Sequence, residues 1–312
     1  MKTKITIYLL AIGILISGCS TKSQKENTLN ISGAFALYPL TVKWAEEYQK
    51  LHPEIRINIS AGGAGKGMAD VLSGTVDMGM FSREIEPEEI EKGIWWAGLC
   101  IDAVIPTISA DNPYLDEILQ KGITRDQFRM IFVTGSIADW GFLTNEANKG
   151  IIEVYTRADA CGAAGTWASY LDCRQEDLKG IGIYGDPGLA EAVSKNPNAI
   201  AYNNTAYVYD INTGQKRPGI EVVPIDINEN GTIDPEENFY GSFHSLLAAV
   251  SEEVYPYPPA RELYFITKGL PVKKSLLDFI RWTLTDGQKY VSDAGYVPEP
   301  GEKIVKYLNK TY

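Results

Sequence analysis

The sequence predicts an α/β protein whose sheet is largely parallel. Three observations carry this: β-prone runs alternate quickly with helical ones, small residues make the turns between them, and residues 151–170 repeat the strand, loop and helix of the first block. Leu29 to Gly33 is the first strand, ending in a small-residue turn. Pro39 and Thr41 open a helix over Val42 to Leu51, with Trp44, Ala45 and Tyr48 on one face. Ile55 to Ser60 alternates apolar and polar, as a half-buried strand does. The glycine-rich stretch 61–67 then leads into a helix from Met68 to about Ser73, and Val76 to Met80 forms a third strand ending in Phe81-Ser82-Arg83. Ile101 to Ser109 is an apolar strand, and Thr124 caps a helix running toward Phe132. Ile151 to Tyr155 is a strand, followed by the loop 156–163 and a helix carrying Trp167 and Tyr170. Ala199 to Tyr202, Val208 to Tyr209 and Leu263 to Thr267 read as strands, Val272 to Thr283 as a helix, and Ile304 to Leu308 as a closing segment.

The first residues fix a compartment. Lys2 and Lys4 precede the apolar run Ile5 to Ile16, and Ile16-Ser17-Gly18-Cys19 follows. A basic start, a short apolar core and small residues before a cut are secretory-signal features, and the run is too short for a spanning helix. With its cysteine, the segment resembles the bacterial lipobox. The resemblance implies that residues 1–18 are removed and that Cys19 carries a lipid anchoring the protein to a membrane outside the cytoplasm. Polar residues 19–28 read as a lipidated tether. Without residues 1–18, which hold two lysines and no acid, 294 residues remain with 27 basic and 40 acidic side chains, a net charge of −13. That length accommodates two domains with their own cores, and that charge argues against nucleic acid as a partner.

Cys100, Cys161 and Cys173 remain beyond Cys19. Cys161 and Cys173 flank the helix Gly165 to Tyr170, which holds them too far apart for a disulfide, so free and mostly buried thiols are expected. His52 and His244 are the only histidines and no Gly-x-Ser-x-Gly elbow is present. Both facts argue against a His-based hydrolase.

Small-residue turns that open helices expose unpaired N–H groups at the positive end of the helix dipole. Such turns lie at 33–39, 62–67 and 161–165, and Ser82-Arg83 and Arg157 stand beside them. Amides and two guanidiniums converging on one point suit a tetrahedral oxyanion. The loop 62–67 is not a Walker loop, because Gly67 follows Lys66 and Ser60 stands where that pattern needs its first glycine. Asp159 is expected to pair with Arg157 and hold its fork.

Ile31-Ser32-Gly33, Tyr38-Pro39, the loop 62–67, Thr75 to Gly79, Ser82-Arg83, Arg157 to Gly162, Tyr290 and Gly295-Tyr296 occur in one order over residues 29–295. In this order they resemble the phosphate-binding solute receptors of ABC transporters. The resemblance implies a type 2 periplasmic-binding fold, with two α/β lobes, two crossover strands and a ligand cleft between the lobes. Lobe 1 is then expected at 29–104 and 262–312, and lobe 2 at 105–261. The crossover strands would lie near Ala103 to Thr107 and Arg261 to Tyr264. It also implies the anion-binding groups: the amides of Ala36 and Leu37, the loop of Gly63, Ala64 and Gly65, then Ser82, Arg83, Arg157, and Cys161, Gly162 and Ala163. No catalytic residue is expected. Partners are phosphate or a similar oxyanion, ABC permease subunits, and the membrane through the lipid on Cys19. Hydroxyls usual in the family are replaced here by Ala34, Phe35, Ala36, Ala64 and Ala163, and Cys161 stands for the usual serine. Arg83 also occupies the region where many members place a proton-accepting aspartate. A sensor that reports phosphate, a receptor for another oxyanion, and an enzyme acting on phosphate esters remain the alternatives.

Residues 226–237 fit the EF-hand loop pattern, although Ile220 to Ile225 before it looks like a strand rather than a helix. Asp226, Asn228 and Asn230 supply side-chain oxygens, Thr232 its carbonyl, Asp234 a direct or water-bridged contact, and Glu237 two oxygens, with Gly231 making the sharp turn. A structural calcium ion remote from the cleft is expected, the alternative being a polar loop rich in Asx turns.

Overall fold

The computed structural model describes residues 26–144 and 150–312; the signal 1–18, Cys19 and tether residues up to 25 lie outside them. Two parallel three-strand units are joined by antiparallel strands between them. In the first unit, β1 (Thr28–Gly33) lies between β2 (Arg56–Ala61) and β3 (Met78–Phe81). The long β4 (Ile94–Ser109) leads to the second unit, where β5 (Glu153–Arg157) lies between β6 (Ile181–Ile183) and β7 (Ala199–Asn204). A short β8 (Ile220–Val222) adds to β4, β9 (Ala260–Lys268) returns to the first unit, and β10 (Val297–Pro298) pairs with Cys100 and Ile101. The order is β2-β1-β3-β9-β4-β7-β5-β6. The sheet is therefore mixed rather than largely parallel. The chain leaves along β4 and comes back along β9, so these neighbours must oppose each other.

β4 carries the fold from one lobe to the other. Its residues Ile94 to Ala103 pair with β9, and Val104 to Ile108 pair with β7. It is buried along almost its whole length, which explains why it reads as a nearly continuous apolar run. Two separate cores flank the switch. One gathers Trp44, Tyr48, Met78, Phe265, Phe279 and Trp282; the other gathers Phe128, Phe132, Trp140, Trp167, Tyr202 and Tyr255. Two cores on two sheet halves make the two-lobed α/β architecture of the type 2 fold.

Local rules explain most elements. The helix Tyr38–Leu51 starts with Pro39 in its first turn and buries Leu40, Trp44 and Tyr48 at four-residue spacing. Thr124 caps the helix Arg125–Arg129 in a capping box with Gln127. The helix Ala64–Ser73 begins four residues earlier than expected and lies so close to the sheet that a methyl on Gly67 would come within 2.9 Å of Gly33 Cα. Three expectations change. Val208 ends a helical turn, Thr205–Val208, and Tyr209 makes only an isolated bridge, because Thr205 turns its hydroxyl onto Asp102 at 2.6 Å. The closing segment is a full helix, Gly301–Asn309. The tether ends before residue 28, since Asn27 O accepts the Arg56 amide and Thr28 pairs in β1. Among the described residues no helix is long and apolar enough to cross a membrane.

Candidate anion-binding cleft

Ligands in open α/β sheets sit outside the carboxyl ends of parallel strands, where helix N-termini gather. Here β1, β2, β3 and β5 all end at one cleft between the lobes. The turn Phe35–Leu37 follows β1, the loop at Gly63 follows β2, Ser82 follows β3, and Arg157 ends β5. The lobes touch across it. Gly65 N donates to Ala160 O at 3.0 Å, and the Tyr207 hydroxyl donates to Phe35 O at 3.2 Å. A methyl built on Gly162 would lie 2.1 Å from Ser82 Oγ, so the two chains pack backbone to backbone. The Arg157 guanidinium stands 5.5 Å from the Phe35 ring centre.

Arg157 is the charged centre of this arrangement, and its side chain is fully buried. Asp159 takes Nε at 2.8 Å and Nη2 at 2.6 Å, and Asp186 takes Nη1 at 2.5 Å. A guanidinium has five N–H donors, so two are left over beyond these three bonds. Burial opposes its charge, but Asp186, Cys161 and Asp159 outweigh that and hold its pKa above the ordinary arginine value. The Gln175 amide fastens the loop after Arg157, donating to Asp159 O at 2.7 Å and accepting the Cys161 amide at 3.2 Å.

Cys161 caps the helix Gly162–Tyr170, its Sγ accepting from Ala164 N at 3.4 Å. Gly162 and Ala163 therefore present first-turn amides beside Arg157, backed by the helix dipole. Burial pushes the Cys161 thiol up to about 12, against the opposing pull of Arg157, so it is neutral and polar at ordinary pH. Ala36 and Leu37 are buried in the first-lobe turn, where Leu37 N makes a long 3.3 Å bond to Ala34 O. Gly63 N is bonded to Gly33 O, and the Gly63 position faces Asp159, where a methyl would sit 2.8 Å from Oδ2. Ala64 is buried between Gly63 and Gly65. Arg83 lines the cavity beside Cys161, where a methyl on Gly165 would sit 3.5 Å from its Cδ. Its fork is held by Glu89 at 3.1 and 2.7 Å and stacks 4.6 Å from the Phe81 ring.

Residues 20–287 match the PBP superfamily domain. The chain belongs to the PBP superfamily. Curated relatives include the phosphate-binding protein PstS of Bacillus subtilis, 27% identical over 99% of this chain and 98% of the relative. PstS of Pseudomonas aeruginosa is 26% identical over 92% of this chain and 88% of its own. Among solved structures, a phosphate-bound putative phosphate ABC transporter substrate-binding protein from Clostridium perfringens superposes with TM-score 0.71 at 23% identity, covering 88% of this chain and all of that one. An ABC-type phosphate transport receptor from Vibrio cholerae gives TM-score 0.63 at 17% identity, covering 87% of this chain and 100% of that chain. At these identities the two solved structures establish the fold.

Within this PBP-superfamily chain, sequence reading missed Asp186. It lies in the helix Gly185–Lys195, which was not foreseen, and only the Gly-Asp-Pro start at 185–187 could have signalled it. Beside Cys161 the cleft widens into a cavity of about 910 Å³ reaching Thr166, Tyr257, Arg261 and Tyr264. Cys100 and Cys161 are buried free thiols, and Cys173 is a half-buried one.

The loop 226–237 folds onto its own oxygens. Asp226 accepts the amides of Asn230 and Gly231 at 3.2 and 2.9 Å. Glu237 accepts those of Ile227 and Asn228 at 2.9 and 3.0 Å, and that of Asp234 at 3.3 Å. Asn228 and Asn230 both donate their side-chain amides to Asp234 Oδ2, and Asn230 Oδ1 accepts Thr232 N. Gly231 takes the left-handed turn at φ 82°. Among the described residues no group of three or more His, Cys, Asp or Glu side chains is placed to hold a metal ion.

Proposed function

We propose that this protein is an extracytoplasmic receptor that captures inorganic phosphate for an ABC importer, held at a membrane by lipid on Cys19. The observation that carries the reading is the buried Arg157. It is braced by two carboxylates, keeps two N–H groups for a ligand, and sits beside the amides of Gly162 and Ala163 in a cleft between two lobes. The names of the curated relatives support phosphate as the anion. Permease subunits are the partners that the family resemblance implies. The site favours binding over catalysis. Cys161 holds its proton to about pH 12, and His52 and His244 pack instead against Tyr48 and Gly214.

Titration of anion-stripped protein with phosphate, sulfate and other oxyanions tests the reading. Phosphate is expected to bind most tightly. It should also lower the radius of gyration, because a ligand held by both lobes shifts the hinge toward closure. No heat with phosphate, or tighter binding of sulfate, would sink it.

The loop 226–237 is proposed as a structural calcium site on its ligand pattern, with Asn228 and Asn230 turning their oxygens inward to receive the ion. Calcium added to metal-free protein is then expected to raise the melting temperature by linkage, and to raise it much less in Glu237→Gln. Phosphate affinity should be the same in both proteins. A melting curve of the parent indifferent to millimolar calcium would return the loop to a polar turn held by its own amides.

A further inference from the structure

Two buried arginines are joined through one carboxylate and one amide. Asn204 ends β7, opposite Val104 of β4. Its Nδ2 donates to Asp186 Oδ1 at 2.7 Å, and its Oδ1 accepts from Arg261 Nη2. The other oxygen of Asp186 holds Arg157. Arg261 also reaches Asp102 at 3.4 Å and Thr166 Oγ1 at 3.2 Å. Asp102 and Arg261 face each other across β4 and β9, the two crossover strands. The series Arg157, Asp186, Asn204, Arg261, Asp102 is thus continuous, and each member is at most 5% exposed.

The chemistry of the middle position is restrictive. A guanidinium only donates and a carboxylate only accepts, so the side chain between them must accept at one end and donate at the other. An asparagine amide does both, and its partners fix which way it faces. Aspartate has no donor for Asp186, and alanine has neither group. We propose that Asn204 is a positioning residue that ties the Arg157–Asp186 pair to both crossover strands, so that the anion-holding arginine and the hinge move as one body. The proposal rests on the reading of Arg157 as the anion-holding group. Asn204 itself touches no ligand; it acts by setting where Asp186 can stand.

Asn204→Asp keeps the shape and tests the role. The new carboxylate would face Asp186 and Arg261, with Arg157, Asp159 and Asp102 behind them and the Cys161 and Tyr207 protons nearby. Like charge beside Asp186 should draw Arg157 out of position. Phosphate affinity should fall at least about tenfold near pH 8 relative to the parent. Toward pH 5.5 the ratio of parent to variant affinity should shrink, since a proton shared by the two carboxylates restores a donor. Equal affinities with a flat ratio would overturn the proposal. The second arm uses ligand-free protein: Asp102→Asn and Asp186→Asn, singly and together, followed by urea denaturation. Residues in one network give non-additive shifts, whereas independent sites add. Strict additivity would overturn the relay whatever the ligand is. A parent that binds no phosphate would remove the functional reading alone, and the cycle would still decide the relay.

Discussion

Arg157→Ala is expected to weaken phosphate binding by on the order of a hundredfold. A hydrogen bond to a charged group contributes about 1.5–3 kcal/mol, and a buried fork with two N–H groups on one anion lies toward the upper end. Each 1.4 kcal/mol is a factor of about ten in affinity. The loss has a second source. Asp159 and Asp186 would face the cleft without their cation, and an incoming anion would meet two carboxylates. Breaking a buried ion pair by removing one partner costs about 3–5 kcal/mol of stability, so the variant should also melt earlier. Arg157→Lys separates the two effects. It keeps the charge but cannot serve both carboxylates and the ligand, so it should fold better than the alanine variant and still bind weakly. Calorimetric titration of both, alongside their melting curves, checks this. Parent-like affinity in a folded Arg157→Ala protein would take Arg157 out of the site.

Gly162→Ala is the second large effect. The added methyl would lie 2.1 Å from both Ser82 O and Ser82 Oγ, and the carbonyl belongs to backbone that cannot swing aside. Ser82 follows a strand of the first lobe and Gly162 opens a helix of the second, so the clash is between lobes and local helix geometry is unharmed. Alanine is a good helix former, and the melting temperature should hardly change. Apparent affinity falls in proportion to the fraction of molecules that can close. If the methyl reduces that fraction to about one in a hundred, phosphate binds about a hundredfold more weakly. Small-angle scattering at saturating phosphate should then show less compaction than the parent. A variant that binds and compacts like the parent would show that closure does not need this contact.

These residues also show where sequence reading succeeds. Arg157 and Asp159 are two positions apart at a strand end, so their pairing was legible as a local pattern. Cys161 to Ala163 were legible for the same reason, because a small-residue turn before a helix is a local event. Asp186 lies 29 positions from Arg157, and Arg261 lies 57 from Asn204. Nothing in single-chain spacing links such groups, since tertiary folding alone brings them together. Arg83 lines the cleft cavity, as its place beside Ser82 suggests, but the hold of Glu89 on its fork was not legible. The strands followed the same division. β1, β2 and β3 announced themselves by short alternating or apolar runs, whereas the antiparallel return of β9 along β4 depends on contacts some 160 residues apart in sequence and could not be read locally.

The bond from Gly65 to Ala160 and that from Tyr207 to Phe35 join the lobes through the protein's own groups. Each favours closure by an amount that owes nothing to phosphate. A membrane transporter reading shape alone would then meet some empty shut receptors among the loaded ones, in a proportion set by these two contacts. The fidelity of the signal is therefore a property of the closing surfaces as well as of the anion pocket. Strengthening them would tighten capture while raising the rate of false arrivals at the membrane, and loosening them would do the reverse.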